Sequence, residues 1–112
     1  MNDRNHIVSI DTEHLGPVIC YEDTFVNHIQ KNHPDMEVDH IQSALLSPVA
    51  ICEGTSNPGY VIFVGEDKTP SGSPVCVFVN PEAAPSMVVT ACYRRDFKSL
   101  SDKNKLWLRT DA

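Results

Sequence analysis

The stretch Ala44-Leu45-Leu46-Ser47-Pro48-Val49-Ala50-Ile51-Cys52 decides the fold, because the apolar period changes within it. Upstream, Val38, Ile41, Ala44 and Leu45 recur at helical spacing. Ser47-Pro48 stops that helix, since proline disfavours helical backbone at the residue before it. Downstream, the runs Val49–Cys52, Tyr60–Val64, Val75–Val79 and Met87–Ala91 are β-branched and aromatic. Turn-rich segments at Gly54–Gly59, Glu66–Ser73 and Asn80–Ser86 separate them. This order predicts a meander of four antiparallel strands.

Working outward from Pro48 towards the N-terminus, Asp35 is placed to cap the helix that ends at Leu46. Before it, Glu22-Asp23-Thr24 opens a first helix, because acidic and cap-forming residues favour a helix N-terminus. Phe25, Val26 and Ile29 form its apolar stripe, and Pro34 ends it at about Asn32. His6–Ile10 reads as a short strand, Asp11–Gly16 as a turn, and Val18–Tyr21 as an extended lead-in. Towards the C-terminus, Leu106-Trp107-Leu108 is an apolar cluster that folds back on the domain. The expected architecture is α+β, with two N-terminal helices packed on one side of a four-stranded antiparallel β-sheet. The opposite sheet face is left open for a ligand or partner.

The bulk numbers restrict the class. At 112 residues the chain is one domain spanning 1–112. Apolar residues make up 41% and charged residues 21%, as in a soluble globular protein. No apolar run approaches the ~18 residues that span a bilayer, so no membrane partner is expected. The N-terminus lacks the basic-then-apolar order of a secretory signal, which points to the cytoplasm. Cys20, Cys52, Cys76 and Cys92 form no C-x-x-C pair and lie among apolar residues, as buried free thiols do. The net charge of −6 argues against a nucleic-acid binder, because such domains are usually basic. That charge is uneven: residues 1–87 hold three basic and twelve acidic side chains, whereas 88–112 hold six basic and three acidic. The basic tail, 94–112, is either a local phosphate-binding patch or a solvated tail.

Asn27-His28-Ile29-Gln30-Lys31-Asn32-His33-Pro34 places two imidazoles in one short segment. Imidazole is the ordinary side chain that gives and takes protons near neutral pH. Together with Ala44-Leu45-Leu46-Ser47-Pro48, Tyr60, Val75-Cys76-Val77 and Val89-Thr90-Ala91-Cys92-Tyr93, this segment resembles the barnase–EndoU–colicin–RelE (BECR) nuclease superfamily. The phage-associated BECR domains are the most similar, and the resemblance covers residues 18–96.

The resemblance implies a metal-independent endoribonuclease, a toxin or phage effector that needs no cofactor. A base would take the ribose 2′-hydroxyl proton, the oxygen would attack the adjacent phosphorus, and an acid would protonate the 5′-oxygen. The products are a 2′,3′-cyclic phosphate and a 5′-hydroxyl. Carried over, His28 and His33 become acid and base, Thr90 a donor to phosphate oxygens, and Tyr93 a stacking or proton-transfer group. Arg94, Arg95, Tyr60 and Lys31 become substrate-binding residues. RNA, with tRNA one candidate, is the implied partner, and a cognate inhibitor or immunity protein a second. Some relatives place a lysine in the site. Here Lys31, Lys68 or Arg94 would have to serve.

Plainer readings stand beside these. His28 beside Phe25 and Ile29 also fits a packed residue, His33 a turn residue, Thr90 a β-favouring residue and Tyr93 a core residue. His40 reads as a solvated face, and His6 and His14 as surface. A joint metal site at His28 and His33 is disfavoured, because five residues turn them about 140° apart on a helix. The competing function is a non-catalytic acidic binding protein: an inhibitor, an antitoxin-like partner or a nucleic-acid mimic.

Overall fold

The computed structural model describes residues 5–54, 59–100 and 103–110. The chain begins with a hairpin of β1, His6–Thr12, and β2, Gly16–Tyr21. Gly16 has φ +68°, a left-handed conformation that glycine adopts without a Cβ clash. The Thr12 hydroxyl closes the turn, donating to the Gly16 carbonyl at 2.8 Å and accepting from Leu15 N–H at 2.9 Å.

Residues 22–32 form one short helix with a π-turn, Phe25–Ile29, between single α-turns. Phe25 and Ile29 are buried, while Val26 is left 49% exposed. The helix ends at His33, whose backbone leaves the helical region just before Pro34. The second helix is Val38–Leu46. Its N-cap is Glu37, without a side-chain cap, so the capping role expected of Asp35 is corrected.

Five more strands follow: β3, Ala50–Glu53; β4, Val61–Lys68; β5, Pro74–Asn80; β6, Ser86–Tyr93; and β7, Lys105–Leu108. The expected four-stranded antiparallel sheet carrying two helices is overturned. The sheet has seven strands in the order β1-β2-β6-β5-β4-β3-β7, and it is mixed, because β2 pairs β6 in parallel. The physical reason lies in the outer strands. A four-stranded sheet would leave the outer backbone groups of β6 and β3 unpaired. The N-terminal hairpin takes up those of β6, and the folded-back Leu106-Trp107-Leu108 takes up those of β3.

The sheet also curls. His14, at the tip of the first hairpin, reaches Trp107 on the far edge strand, with ring centroids 4.3 Å apart. The two helices lie in the resulting hollow. Phe25, Ile29, Met36, Ile41, Ala44 and Leu45 pack there against Val8, Val18, Phe63, Val75, Val77 and Val79. Gly65 permits this close approach: a Cβ there would lie 2.6 Å from Val75 Cγ1 and 2.8 Å from Ala44 Cβ.

The outer face is not left open, contrary to expectation. A short 3-10 turn, Arg95–Phe97, and the residues Lys98–Leu100 after it lie across it. Phe97 and Leu100 pack there on Ala50, Cys52, Ile62, Val64 and Cys76. Among the described residues, no helix is long and apolar enough to cross a membrane. Most of the turn expected over Gly54–Gly59 lies outside the described residues, as do residues 101–102 and both chain ends.

Candidate functional site

The side chains singled out in the sequence do not converge. His28 and Lys31 are exposed on the first helix, and His33 is half-buried in the turn after it. The His33 backbone serves that turn, its N–H donating to the Ile29 carbonyl at 2.8 Å and its carbonyl accepting from Met36 N–H at 3.0 Å. Thr90 stands opposite Phe78 in the β5–β6 ladder, and Phe78 packs in the outer cluster. Directly opposed residues of an antiparallel pair share a face. Thr90 therefore points away from the hollow that holds the first helix, and no shared site with the histidines forms.

Tyr93 stands opposite Val75 and packs against the inner cluster. Tyr60 precedes β4, at the end of the sheet where β5 finishes. Five residues of strand separate it from the Tyr93 level, about 17 Å at ~3.3 Å per residue. Arg94 and Arg95 are exposed just past β6. Arg94 is held by Asp96 through two hydrogen bonds, Nε to Oδ1 at 3.0 Å and an η-nitrogen to Oδ2 at 3.2 Å. Lys103 donates to the same carboxylate at 3.0 Å. These charges are matched within the chain, and they clamp the C-terminal segment around Phe97. The Lys103 ammonium lies 4.5 Å from the Phe97 ring centroid and the Arg94 guanidinium 5.7 Å.

One of the named residues does lie in a polar constellation, with a partner the sequence reading set aside. The Tyr93 hydroxyl is 2.6 Å from His40 Nδ1. It also reaches the Asp35 carbonyl, as donor, at 3.4 Å. On the other side of the imidazole, His40 Nε2 lies 3.9 Å from both Glu37 Oε2 and Asp67 Oδ1. The second Asp67 oxygen, Oδ2, is buried and has no hydrogen-bond donor. Three elements build the group: the second helix supplies His40, the end of β6 supplies Tyr93, and the far part of β4 supplies Asp67. The loop 33–37 contributes Asp35 and Glu37.

Burial, reinforced by the negative charge of Asp35, Glu37 and Asp67, pushes the Tyr93 phenol above its ordinary range. The phenol stays protonated at neutral pH and acts as a hydrogen-bond donor. It has one proton and two acceptors in reach. When the His40 Nδ1 is unprotonated it accepts from Tyr93. When that nitrogen carries a proton it donates to the phenol oxygen, which then donates to Asp35. The group is thus a hydrogen-bond relay bordered by carboxylates. Among the described residues no cluster of His, Cys, Asp and Glu could hold a metal ion.

His40 could have been found from its position. It adjoins the apolar stripe Val38–Ile41, where a half-buried ring can reach the sheet, and it follows Glu37 by three residues. The cysteines are buried free thiols, and burial pushes Cys20 up to about 11. None of them takes part in the group. Neither a family model, nor a curated protein, nor a solved structure matches this chain. The resemblance to the BECR nucleases therefore rests on its short motifs alone.

Proposed function

We propose that the protein is a non-catalytic binding protein whose acidic group around His40 and Tyr93 receives a cationic side chain of a partner protein. The observation that carries this reading is the Asp67 carboxylate, with one oxygen buried and lacking a donor beside the His40–Tyr93 pair. A buried acceptor without a donor costs roughly 1–3 kcal/mol, and more when charged. The Asp67 side chain as a whole is 35% exposed, so a lysine or arginine of a partner can approach the carboxylate from solvent and offset its uncompensated charge, without touching the buried oxygen itself. Asp35, Glu37 and Asp39 ring the same end of the second helix, and the whole chain carries −6. Such a field speeds encounter with a basic surface and makes it salt-dependent.

The ribonuclease reading keeps its two histidines but lacks a converged set, with Thr90 on the outer face and Arg94 engaged by Asp96. One experiment separates the two. An arginine- and lysine-rich peptide is titrated into the isotopically labelled protein, and the His40 and Tyr93 resonances are followed. Saturable shifts that weaken with salt, and weaken about tenfold in Asp67→Asn, support the binding reading. Absence of shifts at these residues rejects it. RNA incubated with the protein is assayed in parallel. Cleavage leaving 2′,3′-cyclic phosphate ends, abolished by replacing both His28 and His33, would replace the binding reading with catalysis.

A further inference from the structure

The outer face of the sheet carries a groove of opposite character. It has a volume of about 400 Å³ and lies between the far half of β4 and the C-terminal segment that crosses that face. Val49, Val64, Pro74, Phe97 and Leu100 supply its apolar lining. Lys68, Lys98 and Arg109 supply its charge, opposed by one carboxylate, Glu66. Arg109 pairs with Glu66. Its backbone N–H, donating to the Val49 carbonyl at 3.0 Å, fixes where the arginine enters the groove. Neither Lys68 nor Lys98 has a carboxylate partner among the described residues. Among the described residues the Lys98 ammonium hydrogen-bonds only the Ser71 carbonyl, at 3.4 Å.

This arrangement runs against the rest of the molecule. The chain has nine lysines and arginines for fifteen acidic residues. Three of the nine meet at one groove, and two of those three lack an ion-pair partner among the described residues. A solvated face would scatter such charges or pair them, as Arg94 and Lys103 are paired on Asp96. The volume falls within the range of small-molecule sites, ~300–1,000 Å³. Two unpaired ammonium groups beside an apolar lining fit a headgroup with two negative charges attached to a small apolar body.

We propose that this groove is a binding site for a small organic dianion, its charged group held by Lys68 and Lys98 and its apolar part against Leu100 and Val49. Phosphate monoesters and dicarboxylates share that chemistry. The site is on the opposite sheet face from the His40–Tyr93 group and does not depend on it.

The test is calorimetric titration of the full chain with phenyl phosphate, benzene-1,2-dicarboxylate, inorganic phosphate and phenol. Saturable binding of one of the two organic dianions, tighter than inorganic phosphate and absent for phenol, supports the site. The tighter of the two identifies the source of the charge. Lys98→Gln and Lys68→Gln should each weaken that binding about tenfold. Both side chains are exposed, so circular dichroism and melting temperature should not change, whereas Asp67→Asn should leave this binding intact. The proposal fails if neither dianion binds at millimolar concentration. It fails equally if inorganic phosphate binds as tightly as both, or if folded Lys98→Gln and Lys68→Gln proteins bind as the parent does.

Discussion

The two faces of the curled sheet are held by different forces. In the hollow, the helices bury Ile29, Met36, Ile41 and Leu45 against Phe63 and the valines of β5, and the polar group there is acidic. On the outer face the cover is a single strand of chain, anchored by Phe97 and by the Arg94–Asp96–Lys103 clamp, and the groove beside it is basic. One face is closed by apolar area, the other by a few charges around one aromatic ring. A protein of net charge −6 thus presents two surfaces of opposite sign, separated by the thickness of a β-sheet.

The sharpest contrast between the faces is in stability. Phe63 is fully buried beneath the helices, and its replacement by alanine should destabilise the domain by about 3–5 kcal/mol, the range for a large aromatic lost from a core. Phe97→Ala on the outer face should cost less globally, because the segment it anchors can detach without unpacking the helices. Hydrogen exchange would then show lost protection confined to residues 95–100. Equal global losses in denaturant melts of the two variants would break the distinction.

Gly65 marks how closely the helix approaches the sheet. Gly65→Ala would place a Cβ 2.6 Å from Val75 Cγ1 and 2.8 Å from Ala44 Cβ, so the second helix must shift outward. Overpacking of this kind costs about 1–3 kcal/mol. Thermal unfolding measures it, and pairing the change with Val75→Ala should recover part of the loss. No recovery would mean that the neighbouring side chain is not what limits the approach.

These elements were unequally legible in the sequence. The helices over 22–32 and Val38–Leu46 and the strands after Pro48 follow from local period, because each buries its own repeating stripe. The architecture did not follow, because it depends on pairing between distant segments. Nothing local in Val18–Tyr21 says that it will lie parallel to Ser86–Tyr93, and nothing in Leu106–Leu108 says which edge it will join. The separation of Thr90 from Tyr93 was, by contrast, open to reading. Residues three apart on a strand face opposite sides, so a site using both side chains on one face conflicts with the two-residue period. The His40–Tyr93 contact spans 53 positions and had no local signature beyond the place of His40 at the edge of an apolar stripe.

Tyr93→Phe probes the inner polar group directly. It removes the hydroxyl from His40 and Asp35 and keeps the ring that packs on the inner cluster. A typical hydrogen bond contributes about 0.5–1.5 kcal/mol net, and a loss in that range is expected in denaturant unfolding. The His40 ring resonances should shift while those of His14 stay in place. An unperturbed His40 would mean that the ring is positioned by the carboxylates alone.

The smallest effect tests whether charge holds the outer cover. The Arg94 hydrogen bonds, followed by those from Lys103, lower the Asp96 carboxyl to about 2, below its ordinary value near 4. A carboxyl held down in the folded state stabilises the fold above its unfolded pKa, and the contribution is lost as pH falls through the folded value. The cover should therefore loosen between about pH 4 and pH 2. Asp96 is 48% exposed, so solvent screening keeps the gain below about 1 kcal/mol. Asp96→Asn should remove this acid-sensitive step and lower stability slightly at neutral pH. It should also release Arg94 and Lys103 from the Phe97 ring, visible as weaker exchange protection from residue 95 to 100. High salt should imitate the substitution in the parent and add little to the variant, because both act on the same charges. If the parent and Asp96→Asn respond alike to acid and to salt, the outer cover is held by Phe97 and Leu100 alone. Both faces would then be closed by apolar packing.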